Sequence, residues 1–514
     1  MRKSRMLISA TLTAVLVLWA LPALAEVIVD TAWVRRYDGP VNRQDKAVDI
    51  AVDRSGNIFV TGYSQDSGTA YDYATIKYYP NGDTAWVRRY NGPVNGIDWA
   101  WAIAVDGSGN AYVTGFSVGI GTDIDYATIK YYPNGDTAWV RRYNGLADSY
   151  DWARAIVVDE SGNVYVTGIS IGGSGGYNCV TIKYDSDGDT VWLRSYNAPG
   201  DLCDEGFDIA VDDSDNVYVT GQSYATYGLP IDYMAVKYYS NGDTAWARRY
   251  YGPANPGQYA NHVAVDDSGN VYMTADCHPG SALTDFGLIK YDPNGDTAWV
   301  RWYDGGGWDE PAAIALDDSG NIYLTGWNGL GGFITVKYYP NGDTAWARRY
   351  SGLGYEDGAS AIAVDSPGNV YVTGYTTGNE MHYDYTTIKY YPNGDTAWVR
   401  RYNGLGNYND EASAIVVDGS GNVYVTGHSA STGFPFNYDY TTIKYSQTLR
   451  GDANGDGVID IGDVVYVINY LFREGLAPDP LEAGNVNGDE MVDIGDVVYL
   501  INYLFREGPP PCEP

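Results

Sequence analysis

Two twelve-residue stretches near the end of the chain carry oxygen-bearing side chains at the spacing that wraps a loop around a divalent cation. Asp452 to Asp463 reads DANGDGVIDIGD, and 33 residues later Asn485 to Asp496 reads NVNGDEMVDIGD. Positions 1, 3, 5, 9 and 12 of the first loop are Asp452, Asn454, Asp456, Asp460 and Asp463, with the Val458 carbonyl at position 7. The second loop presents Asn485, Asn487, Asp489, Asp493 and Asp496, with the Met491 carbonyl at position 7. An all-oxygen donor set of this kind suits Ca2+, so two ions are expected. Gly457 at position 6 permits a sharp turn, whereas loop two has Glu490 there and opens on Asn rather than Asp. Each loop runs into the same helix-like phrase, DVVYVINYLFREG from Asp463 and DVVYLINYLFREG from Asp496.

Tandem loop–helix units with Asp at position 12 make residues 450–508 resemble the type I dockerins. That resemblance implies a small calcium-folded module that plugs a secreted protein into a cohesin domain on a scaffold or cell surface. It also implies that loop positions 10 and 11 help choose the partner; here they are Ile461–Gly462 and Ile494–Gly495. The two halves are nearly identical, so either half is suited to face the cohesin.

Residues 1–25 read as an export signal, with Arg2, Lys3 and Arg5, an apolar run from Met6 to Leu21, and Ala23-Leu24-Ala25 before the cleavage point. No later stretch approaches the ~18 apolar residues of a membrane span. The chain carries a formal charge of −33, which becomes −36 once those three basic residues are removed. Such a surface repels nucleic acid and anionic lipid. Only four cysteines are present, Cys179, Cys203, Cys277 and Cys512. Export permits disulfides, and the first two fall close enough in the pattern to meet, but no disulfide framework is indicated.

Between the signal and the loops the chain repeats itself. A DTAW-like phrase places Trp at 33, 86, 139, 192, 246, 299, 346 and 398, and a lysine and a strand-ending aspartate each recur eight times. A fixed period near 50 residues marks an array of supersecondary units. In the second copy, period-two alternation predicts strands at Ala100–Asp106, Asn110–Gly115, Tyr126–Tyr132 and Thr137–Tyr143, with Ser-Gly and Asn-Gly turns. Four antiparallel strands per unit make one propeller blade, so the fold class is all-β, an eight-bladed propeller followed by a small α-helical module. The lone TAWVRRY strand at residues 31–37 is positioned to complete the last blade and hide two sheet edges. The divisions expected are 1–25, 26–446, a linker at 447–451, the calcium module at 452–508, and a Pro-rich tail at 509–514.

The phrases DxSGNVYVTG and YxTIKYYPNGDTAW make residues 29–445 resemble the bacterial SBBP beta-propeller repeat. The resemblance implies a fold and an extracytoplasmic setting, and much less about chemistry.

Candidate chemistry lies in the longer, variable loops, which a propeller gathers on one face. Asp45, Asp98, Asp151, Asp204, Asp309, Asp357 and Asp410 recur just before the innermost strand, with Gln258 the exception. A ring of carboxylates at a channel mouth would bind a cation or polyol. The simpler reading is that each accepts hydrogen bonds from the amides of its own loop. Acids that break the repeat, Glu205, Glu310, Glu356 and Glu411, are the catalytic candidates, since two carboxyls ~5–10 Å apart serve as acid and base in glycoside hydrolysis. His262, His278, His382 and His428 show no ligand spacing. Trp99, Trp152, Tyr259, Trp308, Trp327, Tyr355, Tyr408 and Phe434 are loop-face aromatics, suited to sugar faces or to blade packing.

The leading expectation is an exported, non-catalytic binding or scaffold protein. Its propeller recognises glycan or protein, and its tail docks through Ca2+ to a cohesin, in a setting of polysaccharide breakdown. The rival is a glycoside hydrolase or polysaccharide lyase with its active site on the loop face.

Overall fold

The computed structural model describes residues 27–511, apart from 69, 173–174, 199–202, 225–230, 252–261, 278–283, 355–356, 379–381, 432–436, 456–457, 490 and 507. The expected export signal, Gly457, Glu490, His278, Tyr259, Tyr355 and Phe434 lie outside the described residues. The chain divides into two compact units, Thr31–Ser446 and Gln447–Pro514, the second including residues up to Asp30.

Among the described residues the larger unit is built from four-stranded antiparallel sheets. Six stand alone, and an eight-stranded sheet is two such groups joined by the single pair Trp327–Gly358. The second repeat contributes Asp98–Val105, Ala111–Val118, Ile124–Tyr131 and Thr137–Tyr143. Turn residues end each strand: Gly109 and Gly135 take φ of 78° and 86°, a conformation open to glycine and costly for other residues. The two middle strands are buried on both faces, because each sheet packs between neighbours.

The expected strand ends on the loop side differ from those observed. Gly115, read as a terminator, lies inside the strand, and Phe116 pairs with Trp99 beyond it. Glycine is needed there for close approach: a Cβ would strike the Trp99 carbonyl oxygen and stand 2.9 Å from the Tyr73 hydroxyl of the preceding repeat.

Among the described residues, each innermost strand except the short Val263–Val265 also carries a bulge. Register slips between Ala100 and Ala102, between Ala153 and Ala155, and between Gly206 and Asp208, leaving Trp101, Arg154 and Phe207 as the extra residues. In later repeats the same slip falls on Ala312, Ser360 and Ser413.

One set of bonds recurs between successive repeats, the tyrosine bond being absent where Cys179, Phe286 and Phe333 replace the tyrosine. The Trp86 indole donates to the Pro133 carbonyl at 3.1 Å, Lys77 Nζ to the same carbonyl at 3.2 Å, and the Tyr73 hydroxyl to Ala127 at 3.0 Å. The last sheet is bound to the first in the same way. Trp33 and Lys444 donate to Pro80 at 3.1 and 3.2 Å, and Tyr440 donates to Ala74 at 3.1 Å. The strand Val27–Tyr37 is the outer strand of that last sheet. The paired arginines of the outer strands are not a free charged edge. Arg88 Nε donates to the Gly135 carbonyl at 2.6 Å, and Arg89 pairs with Asp72 at 2.8 Å.

In the smaller unit, helices α1 (Ile461–Phe472) and α2 (Ile494–Phe505) follow the two loops. Asp460 and Asp463 form a capping box on α1, and Asp493 and Asp496 one on α2, an arrangement worth about 1 kcal/mol per helix. Val464, Val467, Val497 and Leu500 meet with Ala453 and Val486 in a shared core. The expected linker at 447–451 is not free chain. The strand Tyr438–Leu449 runs through its start, and buried Arg450 donates to the Asn485 carbonyl at 2.7 Å.

Candidate functional site

The aspartate that closes each expected calcium loop is held by backbone amides. Asp463 is fully buried; one carboxylate oxygen accepts the Asn454 amide at 3.1 Å and the other the Asp460 amide at 2.8 Å. Asp496 does the same with Val486 and Asn487 through one oxygen and Asp493 through the other. Asp496 Oδ1 is filled by its two amides, while Oδ2, bonded to the Asp493 amide, keeps a further lone pair for a cation. Asp452 is buried at the entry of loop one, and Asn485 at the entry of loop two accepts the Gly488 amide at 3.0 Å. Asn487 and Asp489 are bonded to each other, and Asp460 and Asp493 accept the Gly462 and Gly495 amides. Gly455 and Gly488, at position 4, turn the loops with φ of 75°. Val458 and Met491 are exposed, and Asp456 lies outside the described residues.

The helices repeat one another on their outer faces as well. Ile461, Val465 and Phe472 are 53%, 49% and 65% exposed, and Ile494, Val498 and Phe505 are 54%, 51% and 63% exposed. Steps of four and seven residues place each trio on one helical face, beside Gly462 and Gly495. The two faces match residue for residue.

In the larger unit the recurring aspartates have internal roles. Asp45, Asp98, Asp151, Asp204, Asp309 and Asp410 accept a loop amide, from Gly39, Gly92, Gly145, Ala198, Gly305 and Gly404, at 2.5–2.7 Å. Asp357 holds Gly352 in the same manner, and all seven are buried. They brace the entry to the innermost strand rather than line an open mouth. Burial pushes the Asp45 carboxyl up to about 6.

Sequence reasoning passed over two acidic groups. Asp38, Asp45 and Asp439, and likewise Asp285, Asp304 and Asp309, bring carboxylate oxygens within 4.8 Å of one another. They arise because Asp38 and Asp304 stand where other repeats have Asn91, Asn144, Asn197 and Asn403. Arg36 lies 3.5 Å from Asp439, whose carboxyl burial also lifts to about 6.

The described catalytic candidates occupy separate repeats with separate neighbours. Glu205 stands 3.8 Å from Arg154, and burial raises its carboxyl. Glu411 stands 3.8 Å from His428 and is raised mainly by burial, with Lys46 opposing. Burial forces the His428 imidazole down to about 3, so it is neutral across the physiological range. Glu310 is exposed, and Glu356 lies outside the described residues. His262 faces Asp208 at 3.7 Å, and His382 packs on Tyr408. Cys179 is buried and Cys203 half-buried, both as free thiols.

The loop-side rim of the inner strands holds what the sequence only half revealed. Tyr63 stacks on Trp99 at 4.6 Å and 12°. Trp99 meets Phe116 at 5.5 Å, and Phe116 meets Trp152 edge-on at 5.5 Å. Trp101 stands perpendicular to Trp152 at 5.1 Å. The Arg154 guanidinium lies 4.5 Å from Trp152 and 4.6 Å from Phe207. Trp101, Arg154 and Phe207 were missed because alternation alone assigns them to an ordinary strand; the bulge turns them toward the rim. Trp308 is 54% exposed, Tyr408 53%, and Trp327 half-buried.

Residues 450–505 match the dockerin type I domain. The tail is a type I dockerin. Four segments of the larger unit, 36–68, 138–175, 345–380 and 397–435, match the SBBP beta-propeller repeat. Dockerin type I domains bind calcium, and a dockerin implies a cohesin partner. The oxygen donors gathered around Asp463 and Asp496 fit that ion. No curated protein matches the chain. Among solved structures, a protein of unknown function from Bacteroides caccae is 13% identical, with a TM-score of 0.34, over 59% of this chain and 97% of that one. A gluconolactonase from Xanthomonas campestris is 13% identical, with a TM-score of 0.30, over 57% and 86%. A puromycin hydrolase is 11% identical, with a TM-score of 0.43, over 79% and 62%. These likenesses carry no inference about the chemistry of the chain. No helix among the described residues is long and apolar enough to cross a membrane.

Proposed function

We propose that this chain is an exported, non-catalytic binding module. Its propeller, of eight blades, recognises a glycan, and its dockerin holds two Ca2+ ions and docks to a cohesin on a scaffold or cell surface within a polysaccharide-degrading system. The first ion is held by Asp452, Asn454, Asp456, Asp460, Asp463 and the Val458 carbonyl, the second by Asn485, Asn487, Asp489, Asp493, Asp496 and the Met491 carbonyl. Bound metal supplies the charge that draws these oxygens together and so fixes each helix start.

The observation that carries the docking half is the pair of matching apolar stripes behind Ile461 and Ile494. A solvent-exposed Ile–Val–Phe face on each helix has no role in the tail's own core, and two equivalent faces give two equivalent ways to dock. The test uses a cohesin that the unmodified full chain binds in millimolar calcium. Ile461→Asp and Ile494→Asp singly should each weaken binding less than fivefold, because the other face serves. The double variant should lose binding by at least a hundredfold. Full loss from either single substitution, or none from the double, removes the reading.

A further inference from the structure

Resting on the glycan reading above, we infer that the propeller's binding surface is one aromatic arc on the inner rim of its second to fourth repeats, and that the arc takes a neutral polysaccharide chain. The first support is asymmetry within a repetitive frame. Every described inner strand but the short Val263–Val265 carries a bulge at the same place, so the scaffold offers equivalent positions around the rim. Three consecutive repeats fill theirs with Trp101, Arg154 and Phe207, while the sixth to eighth use Ala312, Ser360 and Ser413. Packing demands that are alike from repeat to repeat do not call for large side chains on one side alone.

Continuity is the second support. Ring contacts from Tyr63 through Trp99, Phe116, Trp152 and Trp101 run unbroken at 4.6–5.5 Å and cross two repeat junctions. Trp99, Trp101 and Trp152 are each only half-buried. Rings held by rings are rigid, so binding them costs little side-chain entropy.

The third support identifies the ligand's chemistry. Among the described residues, Trp99 Nε1, Trp152 Nε1, Arg154 Nε and Gln222 Oε1 have no hydrogen-bond partner. Three are donors and one is an acceptor. Buried and unpaired, each destabilises the free protein until a ligand supplies its complement. A hydroxyl both donates and accepts, and a pyranose offers several around an apolar C–H face that lies on an indole. Apolar peptide side chains would cover the rings and leave these atoms unmatched. They are covered in the free protein, so the ligand reaches them through slight tilts of the indoles that keep their rotamers and change tryptophan emission.

Charge sets the class of glycan. Among the described residues, the cation against the arc's rings is Arg154, already neutralised by Glu205 at 3.8 Å, and the whole chain carries −33. An anionic polymer meets net repulsion with no free cation to offset it, whereas a neutral chain meets neither.

The experiment is binding of the full chain, in calcium, to hydroxyethylcellulose and glucomannan as neutral probes and alginate as an anionic one. Affinity electrophoresis and tryptophan emission are the readouts. Trp99→Ala, Trp152→Ala and Trp101→Ala should each weaken binding to a neutral probe at least tenfold. Tyr132→Ala, an exposed ring outside the arc, should leave it within twofold. Thermal melting identifies any variant that fails to fold, and Trp101→Phe should restore much of the loss. Glycan binding that the arc substitutions leave unchanged, or that alginate competes for more tightly, overturns the arc or its neutral ligand while the glycan reading stands. No binding to any glycan overturns both.

Discussion

The Tyr440 hydroxyl donates to the Ala74 carbonyl at 3.1 Å across 366 residues of chain. The same bond joins Tyr73 to Ala127 across 54 residues, and Tyr126 to Val180 at 3.3 Å. The seam between the two ends of the propeller is therefore built like the junctions at Tyr73, Tyr126 and Tyr385, whereas Cys179, Phe286 and Phe333 hold the equivalent position elsewhere and have no hydroxyl to donate.

Tyr440→Phe removes that bond and leaves a buried carbonyl short of one donor. The expected loss is about 1–2 kcal/mol, seen as a lower midpoint of thermal unfolding. Tyr73→Phe should lower the midpoint by the same amount. Tryptophan emission follows this cleanly, since no tryptophan lies beyond Trp398. A seam that opens before the rest would make the Tyr440 variant indistinguishable from the unmodified chain.

Calcium removal should act on the tail alone. In EDTA the full chain is expected to become sensitive to protease between residues 450 and 508, with helical ellipticity lost and tryptophan emission unchanged. Asp463→Ala should abolish one ion by calorimetry and loosen the start of α1, because it removes both the donor and half of a capping box. Identical digestion patterns in EDTA and in millimolar calcium would refute the two-ion loops.

Stability of the propeller should fall as pH rises through the weakly acidic range. Asp45, Asp49 and Asp439 all have carboxyls raised to about 6, in each case chiefly by burial. The opposing charges are Arg89 near Asp45 and Arg36 near Asp439. Asp38 lies close to both carboxylates, and Asp208 near Asp49 adds to the effect. A raised carboxyl stabilises the fold fully below the ordinary value of 3.8, and that contribution is lost as pH passes 6. Asp98, Asp151, Asp309 and Asp410 shift in the same direction. Asp106, Asp212 and Asp317 are lowered by hydrogen bonds, and they matter only as pH falls below that ordinary value. The melting midpoint is expected to drop between pH 4 and 6.5 and then level off. Asp49→Asn should flatten part of the slope, and a midpoint that climbs over the interval would contradict the assignment.

Much of this molecule was legible because its repeats restate the same physics many times. The Asn-Gly and Ser-Gly turns and the period-two strands placed the sheets, and the loop spacing from Asp452 and Asn485 placed the dockerin helices. Misreadings came where a residue type serves two purposes. Gly115 has the residue type of a strand end, but it is small so that the Trp99 carbonyl and the Tyr73 hydroxyl can approach. Trp99 and Trp152 were singled out while Trp101, Arg154 and Phe207 were not. A single inserted residue re-aims those three, and alternation carries no trace of an insertion. The burial of Asp45 and its counterparts was foreshadowed by their regularity, since an oxygen wanted in every repeat answers to the backbone.

The strand Val27–Tyr37, which finishes the last sheet, leaves the ribosome long before the strand it pairs with. It stays unmated until Tyr438–Leu449 has been made some 400 residues later. Through that interval its arginines and half-polar face are what keep an orphan edge from pairing with a stranger. Synthesis order and assembly order thus run opposite for this one segment, and the circle can shut only when the propeller's final strand arrives.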